Sequence, residues 1–238
     1  NDEFSEVPQT SFNQVQYSSS DKTLSHWQER LSDMSGNVSL TPEFRLGQRS
    51  SGKYVDRDVS EMLQQIFELS ERYQLSESLC WEAIFAYVTR TYTQTSRINV
   101  GVPISLVDAD SQGIGYFVNT LPTVYQFELS ASIADYFDQA KSTRVQDLAH
   151  CDVDISALTQ RLDIQNNDGL FNLFVQWLDS DPVTFKLADT TQKLIKTPDI
   201  SRFDFAASLI NDTECASVQI DYNASLYSEG YIKHFVER

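Results

Sequence analysis

Apolar and polar positions alternate with two different periods along this chain. Met62, Leu63, Ile66, Leu69 and Tyr73 recur at spacings of three and four, which predicts an amphipathic helix from Val59 with Asp58 where an N-cap would stand. After a break at residues 74–76, Leu79, Cys80, Ala83, Ile84, Tyr87 and Val88 predict a second helix, apolar on most of its surface. Ile133, Tyr136, Phe137, Ala140, Arg144 and Leu148 form a third stripe, with Ser130 or Ser132 as its cap, and residues 155–162 a short fourth helix. Two shorter segments frame these: residues 24–31, where Trp27 and Leu31 share a face, and a last helix starting at Ser228 or Glu229.

Strand-like runs fall between the helices. Residues 97–104 predict a strand that ends around Pro103, because proline cannot donate to a ladder. Residues 116–121 follow as another, and the apolar run 170–177 predicts an interior strand. Residues 203–210 and 216–222 flank a polar turn, which predicts an antiparallel hairpin. Residues 1–22 are rich in Ser, Gln, Asn and Asp without periodicity and are expected to be an extended or partly disordered lead-in to one folded unit, 23–238. Hairpins mixed with helical connections make the fold α/β with a mixed sheet.

Composition narrows the partners. A net charge of −16 repels polyphosphate, so neither nucleic acid nor an anionic membrane is expected as a partner. No stretch is long and apolar enough to span a bilayer and no signal pattern opens the chain, so a cytoplasmic protein is expected. Cys80, Cys151 and Cys215 are odd in number and widely spaced, which predicts reduced, mostly buried thiols and no metal site. The glycosylation patterns at Asn37, Asn211 and Asn223 are expected to be chance matches.

One string is not explained by packing: Ile114-Gly115-Tyr116-Phe117-Val118-Asn119-Thr120-Leu121-Pro122. It resembles the I-G-x-F-V-N-T-L-P segment of condensation domains, the amide-forming modules of nonribosomal peptide synthetases. Residues 98–103 resemble that family's V-V-x-G-x-P strand, and residues 148–153 its A-H-Q-D-V-P-F segment. Phe203-Asp204-Phe205 is similar to its F-D-L strand, residues 218–227 to its L-x-Y-N-x-x-L-F return, and residues 24–31 to its Y-W-x-x-x-L helix. The order is kept across nearly the whole ordered chain. Departures occur too: Thr123 and Val124 stand where an arginine follows L-P, Cys151 replaces Gln, Asp154 replaces Pro, and both arginines of the R-D-x-S-R-x-P-L-F run are absent from residues 163–171.

The resemblance implies a chloramphenicol-acetyltransferase-like sandwich, a mixed β-sheet flanked by helices, of which this chain is the single C-terminal lobe. It implies a tunnel between two lobes and a catalytic H-H-x-x-x-D-G motif upstream, in the N-terminal lobe of the same condensation domain. It also implies peptidyl carrier proteins as partners, with no cofactor bound directly beyond the phosphopantetheine arm that a carrier supplies. The chain is accordingly expected to be cut from a larger enzyme, to contain no catalytic residue and to be inactive alone. Gly115, Phe117, Asn119, Thr120, His150, Asp152 and Asp204 are the candidates for lining the tunnel or for a structural role. Two other outcomes compete: a docking module for a carrier protein, and a related O- or N-acyltransferase.

The chemistry-bearing residues have plain readings as well. His26, His150 and His234 are the only histidines. His150 beside Cys151 and Asp152 suggests a triad, but chain neighbours point in different directions and cannot form a nucleophile–base–orienter line. His150 is read as structural, His26 as exposed or half packed, and His234 as solvated. Asn119 and Thr120, polar in an apolar strand, either satisfy backbone groups at a sheet edge or face the tunnel. Gly115 marks a bend or close approach, and Asp204, between two phenylalanines, is read as facing solvent.

Overall fold

The computed structural model describes residues 17–32, 38–44, 51–106, 116–128, 130–164, 169–180, 201–212 and 215–238. In chain order the elements are α1 (Asp21–Leu31), β1 (Gly52–Asp58), α2 (Ser60–Tyr73), α3 (Glu77–Thr93), β2 (Arg97–Ser105), β3 (Val118–Gln126), α4 (Ile133–Leu148), α5 (Ile155–Arg161), β4 (Leu173–Ser180), β5 (Phe205–Asp212), β6 (Ala216–Asn223) and α6 (Glu229–Val236). The strands form one six-stranded sheet in the order β1-β6-β5-β4-β2-β3. β4 runs parallel to both its neighbours, and the β1–β6, β5–β6 and β2–β3 pairs are antiparallel. The sheet is therefore mixed, and the residue 170–177 run is interior as its apolar character predicts, although the paired strand lies three residues further along.

Local chemistry explains the helix boundaries. Ser132 accepts from the Asp135 amide while Asp135 accepts from the Ser132 amide, a reciprocal capping box at the start of α4. Ser76 and Ser228 cap α3 and α6. The expected cap of α2 differs in detail: Asp58 Oδ1 accepts from the amide of Ser60 at 2.9 Å, so its carboxylate bridges the end of β1 and the first helical residue rather than capping from the N-cap position. That hydrogen bond, with one from the Ser60 hydroxyl, holds the Asp58 carboxyl below the usual carboxylate range. Between α2 and α3, Gln74 takes the left-handed conformation at φ 53°, which stops α2 where the periodicity breaks.

The strand limits differ from those expected around two prolines. β2 continues past Pro103 to Ser105, and β3 passes through Pro122 to Gln126. The β2–β3 register supplies the reason. Leu106 donates to Phe117 at one end and Phe127 to Ser96 at the other, so even-numbered β2 residues and odd-numbered β3 residues form the hydrogen-bonded pairs. Pro103 and Pro122 both occupy the other set, whose N–H groups point away from this ladder, and neither removes one of its bonds. β1 had no counterpart in the periodicity, because in GKYVDRD only Val55 is buried. α1 begins at Asp21, and residues 1–16 of the expected lead-in lie outside the described residues.

Two cores hold the unit together. The larger lies between one face of the sheet and α2, α3, α4 and α6, with Leu173, Val175, Phe205, Leu209 and Ile220 buried on the strands. The smaller joins Trp27 and Leu31 of α1 and Leu158 of α5 to Leu121 and Val124 of β3, at the sheet edge. Among the described residues no helix is long and apolar enough to cross a membrane.

Candidate functional site

Strand alternation divides β4, β5 and β6 into two rows. Leu173, Val175, Phe205, Ala207, Leu209, Val218, Ile220 and Tyr222 face the helices. The opposite row, Phe174 and Gln176 on β4, Ala206 and Ser208 on β5, Gln219 and Asp221 on β6, belongs to neither core, and among the described residues no helix packs on it. A shallow groove crosses this face, lined among others by Phe174, Gln176, Arg202, Phe203, Ser208 and Asp221. Phe174 and Phe203 stack in parallel at 4.9 Å, and Phe171 leans on Phe203 at 5.7 Å. Gln176 Nε2 donates to Ser208 Oγ at 2.9 Å, and Gln219 Nε2 to Asp221 Oδ2 at 2.9 Å. The lining offers an aromatic floor and pre-paired amide and hydroxyl groups. Such a surface positions a ligand but supplies no nucleophile–base pair.

Asp204 lies at the approach to β5, in the same alternating row as Ala206 and Ser208. Its expected solvent-facing position is corrected by the structure: it is half-buried, and the Ser39 hydroxyl lies 2.7 Å from its Oδ2. Segment 38–44 crosses here and covers it, a long-range contact that strand alternation could not reveal. Burial raises the Asp204 carboxyl above the usual carboxylate range, and Ser39 opposes this only in part.

The other candidates gather at the β3 edge. Phe117 is half-buried and its carbonyl accepts from Leu106. Asn119 is buried; its Nδ2 donates to the carbonyls of Cys151 and Val153, both at 2.9 Å, and its Oδ1 accepts from the Thr120 amide. It thereby ties the strand to the turn between α4 and α5. The Thr120 side chain is half-buried next to it, Tyr116 is exposed, and Gly115 lies outside the described residues.

His150 sits in that turn and takes part in a cluster that the sequence did not disclose. Its ring stacks on His26 at 4.4 Å, its Nδ1 lies 3.4 Å from Thr23 Oγ1, and its carbonyl accepts from Trp27 Nε1 at 3.0 Å. His26 Nε2 and Arg30 Nε both reach Asp147 Oδ1, at 2.9 and 3.2 Å, and that carboxylate is fully buried. Partial burial, the neighbouring His26 and the Lys22 ammonium hold the His150 imidazole below its ordinary range, against the pull of Asp152 and Asp147. Asp152, half-buried, acts on His150 only through this field. Burial raises the Cys151 thiol, so no activated nucleophile stands beside His150. His234 is exposed, near Glu237. Of the cysteines, Cys80 is buried, Cys151 half-buried and Cys215 exposed, which departs from the expectation of mostly buried thiols.

The two groups of candidates do not converge. β2 and β4 separate β3 from β5, so three strand spacings, roughly 14 Å, lie between them. A third polar group is buried elsewhere: Glu82 of α3 meets Arg144 of α4 and accepts from Tyr125 of β3 at 2.7 Å, while Tyr136 donates to the Ala83 carbonyl at 2.8 Å. Its signal in the sequence was an acid in the apolar interior of a helix paired with an arginine in an apolar stripe. Among the described residues no three His, Cys, Asp or Glu side chains are grouped to hold a metal.

A family model described as the condensation domain matches residues 3–238. The chain belongs to the condensation domain family. A linear gramicidin synthase of Brevibacillus parabrevis is 25% identical over 188 residues, covering 75% of this chain and 4% of that protein. Among solved structures, the condensation domain from the Monacolin K polyketide synthase MokA superposes with a TM-score of 0.71 at 17% identity, over 91% of this chain and 55% of that one. The complex of the X-domain and OxyB from teicoplanin biosynthesis gives 0.76 at 14% identity, over 91% and 50%. This condensation-domain chain therefore spans about half the length of those two solved structures and a small part of the gramicidin synthase. Its mixed sheet with flanking helices is the fold of those neighbours, the chloramphenicol-acetyltransferase-like fold that the resemblance implied.

Proposed function

We propose that this chain is the C-terminal lobe of a nonribosomal peptide synthetase condensation domain and provides one wall of the chamber in which an amine attacks a carrier-bound thioester. The observation that carries this reading is the groove on the sheet face opposite the larger core, a partly buried surface with an aromatic floor and pre-paired polar groups. The match to about half of each of two solved neighbours supports it, as does a sequence in which no two histidines are adjacent.

Amide formation on a thioester needs the amine held close to the carbonyl carbon and its proton removed. In this reading the base belongs to the N-terminal lobe, and the present chain contributes positioning. Peptidyl carrier proteins deliver the substrates on phosphopantetheine arms, so no cofactor is held by these residues, and the assembly works in the cytoplasm. Phe117, Asn119, Thr120, His150 and Asp152 would then shape the edge of the chamber, and Asp204 the end of the groove.

The test is reconstitution. The chain is combined with the N-terminal half of its parent domain, and amide product from carrier-bound thioesters is followed by mass spectrometry. Product is expected from the pair and none from either half alone. Turnover by this chain alone, or halves that do not associate, would overturn the proposal. A non-catalytic docking role is the second reading, favoured by the likeness to an X-domain solved in complex with OxyB. A reassembled pair that binds a partner protein but forms no amide would select it.

A further inference from the structure

Three oxygen-to-oxygen contacts run in series beside β5. Asp204 Oδ2 is 2.7 Å from Ser39 Oγ, Ser39 Oγ is 2.9 Å from Tyr227 OH, and Tyr227 OH is 2.9 Å from the Leu40 carbonyl oxygen. All three are hydrogen-bond lengths, and each needs a hydrogen between its oxygens. A carboxylate and a carbonyl bring none, while the two hydroxyls bring one each. With Asp204 ionised, Ser39 donates to it, Tyr227 donates either to Leu40 or to Ser39, and one contact is left with lone pairs facing each other. A third hydrogen, on Asp204, satisfies all three.

We infer that Asp204 is a carboxylic acid in the folded protein at pH values where an exposed aspartate is ionised, and that it heads a one-way chain of donors from Asp204 through Ser39 and Tyr227 to the Leu40 carbonyl. Burial of the carboxyl acts in the same sense. Tyr227 faces Asp204, with Tyr231 of α6 next to Tyr227, and Lys53 of β1, Arg202 and Asp221 of β6 line the neighbouring groove. Burial raises the Asp204 carboxyl, and a hydrogen bond donated by Ser39 acts against it.

The proton also has a mechanical consequence. Segment 38–44 is held by Val38 donating to Asn99 Oδ1 at 3.2 Å, by the Glu43 and Phe44 amides on the Leu226 carbonyl, and by this chain of hydroxyls. When Asp204 ionises, the Ser39 hydroxyl must turn toward it, and the chain breaks on one side of Tyr227. The hold of this segment on the β6–α6 connection therefore loosens as pH rises. The approach to β5 also stays free of negative charge beside the groove residue Phe203.

The test is a titration of the whole chain with 13C-labelled aspartate, the Asp204 signal being assigned with Asp204→Asn. Its midpoint is expected above that of aspartates in the urea-unfolded chain. Tyr227→Phe removes one hydrogen and one acceptor, frees Ser39 to donate to the carboxylate, and is expected to lower the midpoint. Asp204→Asn places an N–H donor where the acid O–H stood, and its melting temperature at a pH between the unfolded-chain midpoint and the folded one is expected to equal or exceed that of the parent. A wild-type midpoint at or below the unfolded value overturns the inference. So does an Asp204→Asn variant clearly less stable than the parent at a pH between the unfolded-chain midpoint and the folded one, which would mark a carboxylate; these two readings decide the matter even if Tyr227→Phe does not fold.

Discussion

His26 and His150 lie face to face, with ring centroids 4.4 Å apart and planes 23° from parallel, and it is His26 that reaches the buried Asp147 carboxylate, at 2.9 Å. Burial and the neighbouring His26 ring lower the proton affinity of His150. The stack joins α1 to the turn after α4, so its protonation bears on how firmly α1 is held.

The first prediction follows from the direction of the His150 shift. An imidazole that binds its proton more weakly in the folded than in the unfolded chain contributes stability that is whole above the ordinary histidine range and is lost as pH falls through that range toward the folded value. Denaturation midpoints measured in steps from about pH 7.5 to about pH 5 should fall more steeply for the parent than for His150→Phe, which keeps a flat ring but no titrating nitrogen. Equal slopes would count against the effect.

Asn119→Ala should destabilise the protein by roughly 1–3 kcal/mol, because the buried Val153 carbonyl and the part-buried Cys151 carbonyl lose their donor. Urea denaturation measures the loss. Near-neutral behaviour would mean that water replaces the amide in that turn.

Glu82→Ala should be costly for a different reason. It leaves Arg144 buried without its carboxylate, a situation worth about 3–5 kcal/mol. Replacing both partners by apolar residues of similar volume, Glu82→Leu with Arg144→Met, should recover much of that loss. A double variant as unstable as the single one would show that the pair is needed for more than mutual neutralisation.

Gly101→Ala tests close packing. A β-carbon at this position would run into the ring of Phe171, which lies against the β2 backbone. Destabilisation of roughly 1–3 kcal/mol is expected, and Phe171→Leu in the same molecule should relieve part of it. A double-mutant cycle with strictly additive effects would rule out the contact as the cause.

Most of the element types could be read from the chain because their signals are local. The α2 and α3 stripes, the serine cap of α4 and the antiparallel pairing of β5 with β6 act within a few residues, and each reappears in place, with Ser132 as the cap. β1 was not legible, because an edge strand with one buried residue has no alternation to detect. Pro103 misled for a related reason: whether a proline damages a strand depends on which neighbour its N–H would face, and that is a property of register.

The amino-acid sequence by itself determined the family, the α/β class and the positions of the helices, since spacing and motif strings are carried by adjacent residues. Tertiary structure decided which polar groups meet. His26 is 124 residues from His150, Ser39 is 165 from Asp204, and Glu82 is 62 from Arg144. Nothing in the local sequence encodes such pairings; they arise when β3, β5 and α3 are laid into one sheet-and-helix packing and the carboxyls trapped there must each find a hydrogen or a positive charge.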